Sequence, residues 1–517
     1  MGGVLTASMK KEPKITVGIM DRQTEVTGRL DGNFCGDGFG PVSGRFSARA
    51  MAGMIVLTDE SHREIARSPS IRLTALKDST RSAAPSHASQ DGLEKRGSGQ
   101  AFTLFNVMIG NRFHWERTEA QTFQGHLILQ WRNDGTIAAI NEIPLEDYLT
   151  SVISSEMSGA APMEFLKTHA ILSRSWLLAA LDRRKKTRET SLRLCRGPRG
   201  KSEVDASGSV DEEGQIASAD SAELFGHHGP RSWGSPPAVK VTDQEVIRWY
   251  DREDHELFDV CADDHCQRYQ GIMKIVSEQA EEAVQKTRGM VITYQDEICD
   301  ARYSKACGGI TEDVDTAWAD KRVPYLASIS DAPVPHRPIG TEEEASRWIL
   351  SAPEAYCHTK DERLLEKILP DFDRETKTFF RWRIEYPRGE LEEILREKSG
   401  FDFGTLQEIV PLHRGPSGRI SRLKIVGSKR SMVVGKELEI RRWLSRSHLY
   451  SSAFLVTVQY NPRGEAERFT LQGAGWGHGV GLCQIGAAVM ATRGFSAEEI
   501  LRHYFRDTEI KKIYPDV

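Results

Sequence analysis

The chain has 517 residues, about three domains at roughly 150 residues each and enough for at least one large buried core. Sixty-nine Lys plus Arg stand against 74 Asp plus Glu, a net charge of -5, and this near balance argues against a protein built chiefly to coat nucleic acid or an anionic membrane. The 39% hydrophobic content, with ten Trp, twelve Tyr and nineteen Phe, is that of a globular chain, and no window approaches eighteen uninterrupted apolar residues, so a spanning helix is excluded.

The first twelve residues run directly into a strand-like segment at 14–20 and leave no room for the apolar core of a signal peptide, so the chain as written is predicted not to be exported. Met1, Gly2 and Thr6 fit the short myristoylation pattern, and Met9 is an alternative start. Short β-branched or aromatic runs at 15–20, 54–58, 102–108, 123–131 and 136–140, punctuated by Gly, Asn and Asp, predict a small antiparallel β domain over 12–143. Residues 62–100 and 183–240 lack helical or strand periodicity and read as disordered insertions, the second opening on the basic run Arg183 to Lys186.

The period changes at residue 144. Leu145, Tyr148, Leu149, Val152, Ile153 and Met157 recur at spacings of three and four, predicting a helix from Pro144, and a second helix opens at Pro162. Further helices are predicted at 274–287, 344–350, 389–398 and 496–505, with strands at 290–294, 379–384, 422–425, 454–459 and 468–471. Helices and strands mix without strict alternation, so the expected class is α+β: the β-rich domain followed by a mixed unit over 144–513, which carries an extra helical segment at 335–375.

Glu156 lies on or beside the apolar stripe of the first helix, at its negative end. That is a setting suited to a general acid, and equally to a boundary carboxylate paired with a nearby base. Lys167 and Arg174, seven apart on the next helix, are nearly superimposed and could present cations to a substrate or simply to solvent.

Eight Cys in so long a chain are too sparse for a disulfide scaffold. With fifteen His added, a twelve-residue window should hold about half of one such residue, yet His255, Cys261, His265 and Cys266 fall within one. Two thiolates and two imidazoles make a closed, structural zinc set. A Cys261 to Cys266 disulfide and a Cys266 nucleophile are the alternatives.

Glycines alternate at 473, 475, 477, 479 and 481 around Trp476 and His478, in a segment from Gln472 to Gly486 that follows a strand and opens a helix. Every frame of the dinucleotide pattern G-x-G-x-x-G fails here. The alternation suggests close backbone approach to a ligand, with Trp476 placed to stack on a sugar ring. Tyr303, Ser304, Lys305 and the Gly308, Gly309 pair form a strand ending in a turn.

Taken in order, these segments resemble the stage II sporulation protein D (SpoIID/LytB-type) family of bacterial cell-wall proteins. The resemblance rests on Leu145 to Leu149 with Ser155 to Met157, the helix with Lys167 and Ser173 to Ser175, the His255 to Gly271 segment, Tyr303 and Ser304 with the glycine pair, Pro324 to Leu326, and Gly475 to Gln484. It implies a peptidoglycan lytic transglycosylase acting on glycan strands stripped of stem peptides by a partner amidase, with Glu156 as the catalytic acid. Lys167, Arg174, Tyr303 and Lys305 would line the groove with Trp476, His478 and Gln484, and His255, Cys261, His265 and Cys266 would hold a structural zinc ion. A single carboxyl suffices for that reaction, unlike ordinary glycoside hydrolysis. The family acts at the cell envelope, whereas this N-terminus reads as unexported. Cys307 and Cys483 stand where the family more usually has small residues. The alternative readings are a non-catalytic glycan-binding activator of an amidase, and a thiol enzyme using Cys266 or Cys483.

Overall fold

The computed structural model of the chain describes residues 9–76, 100–110, 116–195, 238–250, 255–275, 277–370, 373, 374, 376 and 378–516. Period-two burial builds its N-terminal part: Ile15, Val17 and Ile19 turn inward from the strand Lys14–Gln23, and Leu127 and Leu129 from His126–Trp131. These belong to an eleven-stranded sheet. Its main path runs Val260–Cys261, Lys14–Gln23, Ile137–Pro144, His126–Trp131, Ser70–Ala75, Glu25–Gly36, Phe39–Met51, Met54–Asp59 and Glu64–Ser68. Ala101–Ile109 pairs with Glu25–Gly36 and with Arg117–Gln124. The neighbours are antiparallel, except that Val260–Cys261 joins the Lys14–Gln23 edge in parallel, Val17 opposite Val260 and Gly18 opposite Cys261.

Two boundaries differ from expectation. Residues 64–75, placed by their polarity in the first insertion, form the strands Glu64–Ser68 and Ser70–Ala75. Only Ile71 and Leu73 are buried there, so the inward-facing signal is two residues long. The second insertion was expected from 183, but the second helix continues through it to Cys195, and Ala238–Thr242 is already a strand. Arg184, in the basic run that opens this expected insertion, is buried: its guanidinium donates to the carbonyls of His255 and Phe258. Residues 77–99 and 196–237 of the two expected insertions lie outside those described.

Helix α1 (Leu145–Glu156) starts after Pro144, whose φ of -57° suits entry to a helix, and ends where Met157 turns extended. It is buried nearly all round, and its serines answer the polar cost locally. Ser154 Oγ donates to the Thr150 carbonyl at 2.8 Å, Ser155 Oγ to Ser151 at 2.8 Å, and Ser151 Oγ to Gly271 at 2.7 Å. Helix α2 (Met163–Cys195) packs beside it, and α3 (Glu278–Lys286) against both. One core joins these helices to the sheet, through Phe102, Phe123, Tyr148, Ile153, Phe165 and Leu172, and to the C-terminal helices through Ile485, Ile500 and Leu501.

A second core gathers Leu391, Leu406, Leu423, Trp443, Phe454 and Phe469. It is covered by the sheet Ala238–Thr242, Glu245–Trp249, Ser431–Gly435, Ile420–Gly427 and Leu406–Arg414, and by the three strands Arg381–Pro387, Ala466–Ala474 and Phe454–Tyr460. Tyr303–Ser304 pairs in parallel with Leu482–Cys483, placing Tyr303 and Lys305 beside the glycine-rich segment. The fold is α+β, as the absence of strict alternation predicts. No helix among the described residues is long and apolar enough to cross a membrane.

Candidate active site and metal centre

Glu156 is the last residue of α1, and its carboxylate is engaged on one side. Oε1 accepts from the Tyr303 hydroxyl at 2.9 Å and from the Arg268 backbone N–H at 3.0 Å. Oε2 has no protein donor among the described residues. Lys305 Nζ donates to the Glu156 carbonyl at 3.2 Å and lies 2.8 Å from Asp373 Oδ2. The helix end, the Tyr303 strand and the Arg268 loop thus meet at one carboxyl.

The Arg268 loop is continuous with the Cys and His cluster. His255, Cys261, His265 and Cys266 each offer a donor atom, all within 4.8 Å of one another. Cys266 Sγ is 3.2 Å from His255 Nε2 and 3.4 Å from His265 Nδ1, and Cys261 Sγ is 3.7 Å from His265 Nδ1. Metal bonds of about 2.0–2.3 Å in a tetrahedron space their donors by about 3.3–3.8 Å, so the four fit one ion. Cys261 and Cys266 are free thiols, not a disulfide. Pairing of Cys261 with the sheet edge and the Arg184 clip on the His255 and Phe258 carbonyls hold the loop from two sides.

Behind Tyr303 sits His169, fully buried and edge-on to the tyrosine ring at 5.1 Å. Burial, reinforced by the Lys305 charge, pushes its pKa down to about 3. Neutral His169 can therefore accept a hydrogen bond at Nε2 from the Gln484 amide N–H, 3.1 Å away, and donate one from Nδ1–H to Ser173 Oγ at 3.1 Å. Gln484, expected in the groove, is buried in this supporting layer.

Arg174 is also corrected. It is fully buried; Nε donates to Glu146 Oε1 at 3.0 Å, Nη2 to Glu146 Oε2, and Nη1 to the Met290 carbonyl at 2.9 Å. All of its charge is spent inside the fold. Lys167 is half-buried and paired with Glu164 at 2.9 Å, three residues earlier on α2, and no bond brings it to Glu156.

The glycine-rich segment does not open toward a ligand along its whole length. Gly475, Gly477, Gly479 and Gly481 all have φ between 73° and 90°, and they let the chain fold around buried Arg419. Its Nε donates to the Gly477 carbonyl at 3.1 Å and its Nη1 to Cys307 at 3.0 Å. A Cβ on Gly479 would stand 2.4 Å from the Arg419 guanidinium carbon, and one on Gly481 2.1 Å from the Arg302 carbonyl. The close approach is to the protein's own chain. Trp476 is half-buried, stacked on Tyr450 at 4.1 Å, while its backbone bridges to Ala306. His478 meets Trp318 edge-on at 4.9 Å, and burial with the Arg302 and Arg419 charges holds it neutral.

Asp373, which sequence reasoning did not single out, lies beside Glu156 through its ion pair with Lys305. It sits in the extra helical segment, without a periodic neighbour or motif to mark it, and reaches Lys305 only through the tertiary fold.

An acidic helix end, a Cys and His loop and a tyrosine strand thus meet at one place, and comparison with known proteins says what the chain resembles. Residues 133–222 and 232–294 match the family described as Stage II sporulation protein, and residues 312–481 match a domain of unknown function. Stage II sporulation protein D of Bacillus amyloliquefaciens is 22% identical over 379 residues, 72% of this chain and 76% of the relative. Its counterpart in Bacillus subtilis (strain 168) is 21% identical over 376 residues, with the same coverage. An "Amidase enhancer" of the same strain is 25% identical over 242 residues, 44% of this chain and 32% of that protein. Over these residues the chain is similar to proteins of the SpoIID/LytB type.

Proposed function

We propose that the protein is a peptidoglycan lytic transglycosylase that cleaves the bond between N-acetylmuramic acid and N-acetylglucosamine in glycan strands lacking stem peptides. The observation that carries this reading is the one-sided Glu156 carboxyl, with two donors on Oε1 and none from the described protein on Oε2. A proton on Oε2 passes to the glycosidic oxygen as the C1–O bond breaks. The resulting carboxylate takes the proton of the muramyl C6 hydroxyl as that oxygen closes onto C1, so an anhydro end forms and the acid is regenerated. Tyr303 and the Arg268 N–H hold the carboxyl's orientation in both states. Lys305, Lys167, Trp476 and His478 are proposed to line the strand-binding surface.

The donor set of His255, Cys261, His265 and Cys266 suits zinc, whose part is structural: four protein ligands leave no open position for substrate. When bound it would fix the loop that presents the Arg268 N–H to Glu156. A cell-wall amidase that removes stem peptides is the proposed partner.

The amidase-enhancer relative favours a second reading, a strand-binding protein that activates an amidase without cleaving glycan. Incubating wild type and Glu156→Gln with denuded strands separates the two. Cleavage by wild type, lost in the variant while strand binding persists, supports the enzyme; binding without cleavage by either supports the activator.

A further inference from the structure

Three cysteines outside the first cluster converge on a carboxylate in the core. Cys307, Asp331, Cys357 and Cys483 are all buried, and a donor atom from each lies within 4.8 Å of the others. They arrive from four places: just after the strand Tyr303–Ser304, the loop beyond the turn Pro324–Leu326, the stretch between the helices Glu342–Leu350 and Glu362–Ile368, and the strand Leu482–Cys483. No short sequence motif could assemble them.

Their spacing selects among the chemistries open to clustered thiols. Cys307 Sγ lies 3.6 Å from Cys357 Sγ and 3.1 Å from Asp331 Oδ2. A disulfide requires about 2.05 Å between sulfurs. An iron–sulfur cluster divides its ligands between two or more irons and so spreads some of them beyond the 4.8 Å that spans this whole set. A single tetrahedral ion with metal–sulfur bonds of about 2.3 Å spaces its sulfurs by about 3.8 Å, close to what is observed.

The surroundings are those of a ligand set. The Tyr504 hydroxyl donates to Asp331 Oδ1 at 2.7 Å and leaves Oδ2 turned to the sulfurs, the outer bonding that orients a ligating carboxylate. Backbone N–H groups aim at sulfur: Cys307 at Cys483 Sγ and Gly309 at Cys307 Sγ, both at 3.3 Å, an arrangement that favours thiolates. Among the described residues the one basic side chain within ion-pair distance of Asp331 is His503, at 3.4 Å. A buried carboxylate beside three sulfurs is costly unless a cation joins them.

We propose that Cys307, Asp331, Cys357 and Cys483 form a second, structural metal site that takes one divalent ion of the zinc class. It would fasten the extra helical segment, through Cys357, to the strand that leads to Tyr303 and Lys305, and both to the end of the glycine-rich segment. The two cysteines that depart from the family's small residues, Cys307 and Cys483, thereby have a shared purpose. The proposal does not depend on glycan cleavage or on occupancy of the first cluster.

The test is cobalt(II) exchange into full-length protein purified under reducing conditions, with bound metal counted and thiolate-to-cobalt absorption measured. A Cys261→Ser/Cys266→Ser variant should keep one ion with an absorption intensity of three thiolates, and Cys357→Ser/Cys483→Ser should lose that ion. Where a variant fails to fold, wild type decides: three or five thiolates per chain support the site, and two or none overturn it. A Cys307 to Cys357 disulfide in peptide maps of the wild-type protein would likewise overturn it.

Discussion

In the proposed reaction Glu156 works through one oxygen, and its neighbours define what each substitution should do. Glu156→Gln keeps the shape and the acceptor on the Oε1 side but carries no transferable proton, so cleavage should fall by about 10²–10⁴-fold with strand affinity retained, as read from product formation beside a pull-down. Tyr303→Phe removes one hydrogen bond to a charged group, worth about 1.5–3 kcal/mol. As a positioning residue it should lower kcat by about 10–100-fold and leave KM unchanged; a rise in KM alone would place Tyr303 on the substrate instead. His169 gives a pH signature. Folded, it stays neutral down to about pH 3, whereas unfolded histidine takes a proton near pH 6.5. The unfolded chain then binds more protons below that pH, so stability falls as pH drops from about 6.5 toward 3 and is independent of this residue above. At about pH 5 the loss is about 2 kcal/mol, and His169→Gln should remove that slope from urea midpoints. The place of Glu156 at the end of a buried helix was legible from the apolar stripe beside it. Arg174 and Gln484 were misplaced because helical spacing shows which residues share a face, not whether that face meets solvent or another helix.

At the scale of elements, α1 and the glycine-rich segment set the geometry. The long apolar stripes made α1, α2, Arg388–Ser399 and Ala497–Tyr504 readable, the last two to within about two residues. Polar strands were not: Glu25–Gly36 and Phe39–Met51 carry Arg, Asp and Gly on exposed faces and owe their form to pairing with each other. Glycine alternation correctly signalled close approach, but the sequence has no mark saying that the approaching group is Arg419. Gly479→Ala should therefore destabilise through both its left-handed backbone and the collision with Arg419, by about 1–3 kcal/mol from the backbone alone, measured by denaturant unfolding. Arg174→Ala breaks a buried pair and should cost about 3–5 kcal/mol, yet leave the activity of the folded fraction intact; a selective loss of strand binding in stable protein would restore Arg174 to the groove.

Across the whole molecule, the site depends on loops tied down far from one another in sequence. The metal-type loop adds to the edge of the large sheet at Val17 and Gly18 and, two residues past Cys266, supplies the N–H that holds Glu156. Metal removal by a chelator under reducing conditions should abolish cleavage and speed hydrogen exchange at the Arg268 amide, while amides of His126–Trp131 in the same sheet stay protected. The compact His255 to Cys266 spacing made that loop readable from sequence, whereas Asp373 and the Cys307 cluster required the fold to bring distant segments together. The central claim, that Glu156 drives an intramolecular cleavage without water, is tested most directly by the mass of the product ends. Denuded glycan strands incubated with the wild-type protein should yield muramyl ends one water lighter than hydrolysis would give; hydrated reducing ends, or intact strands, would contradict it.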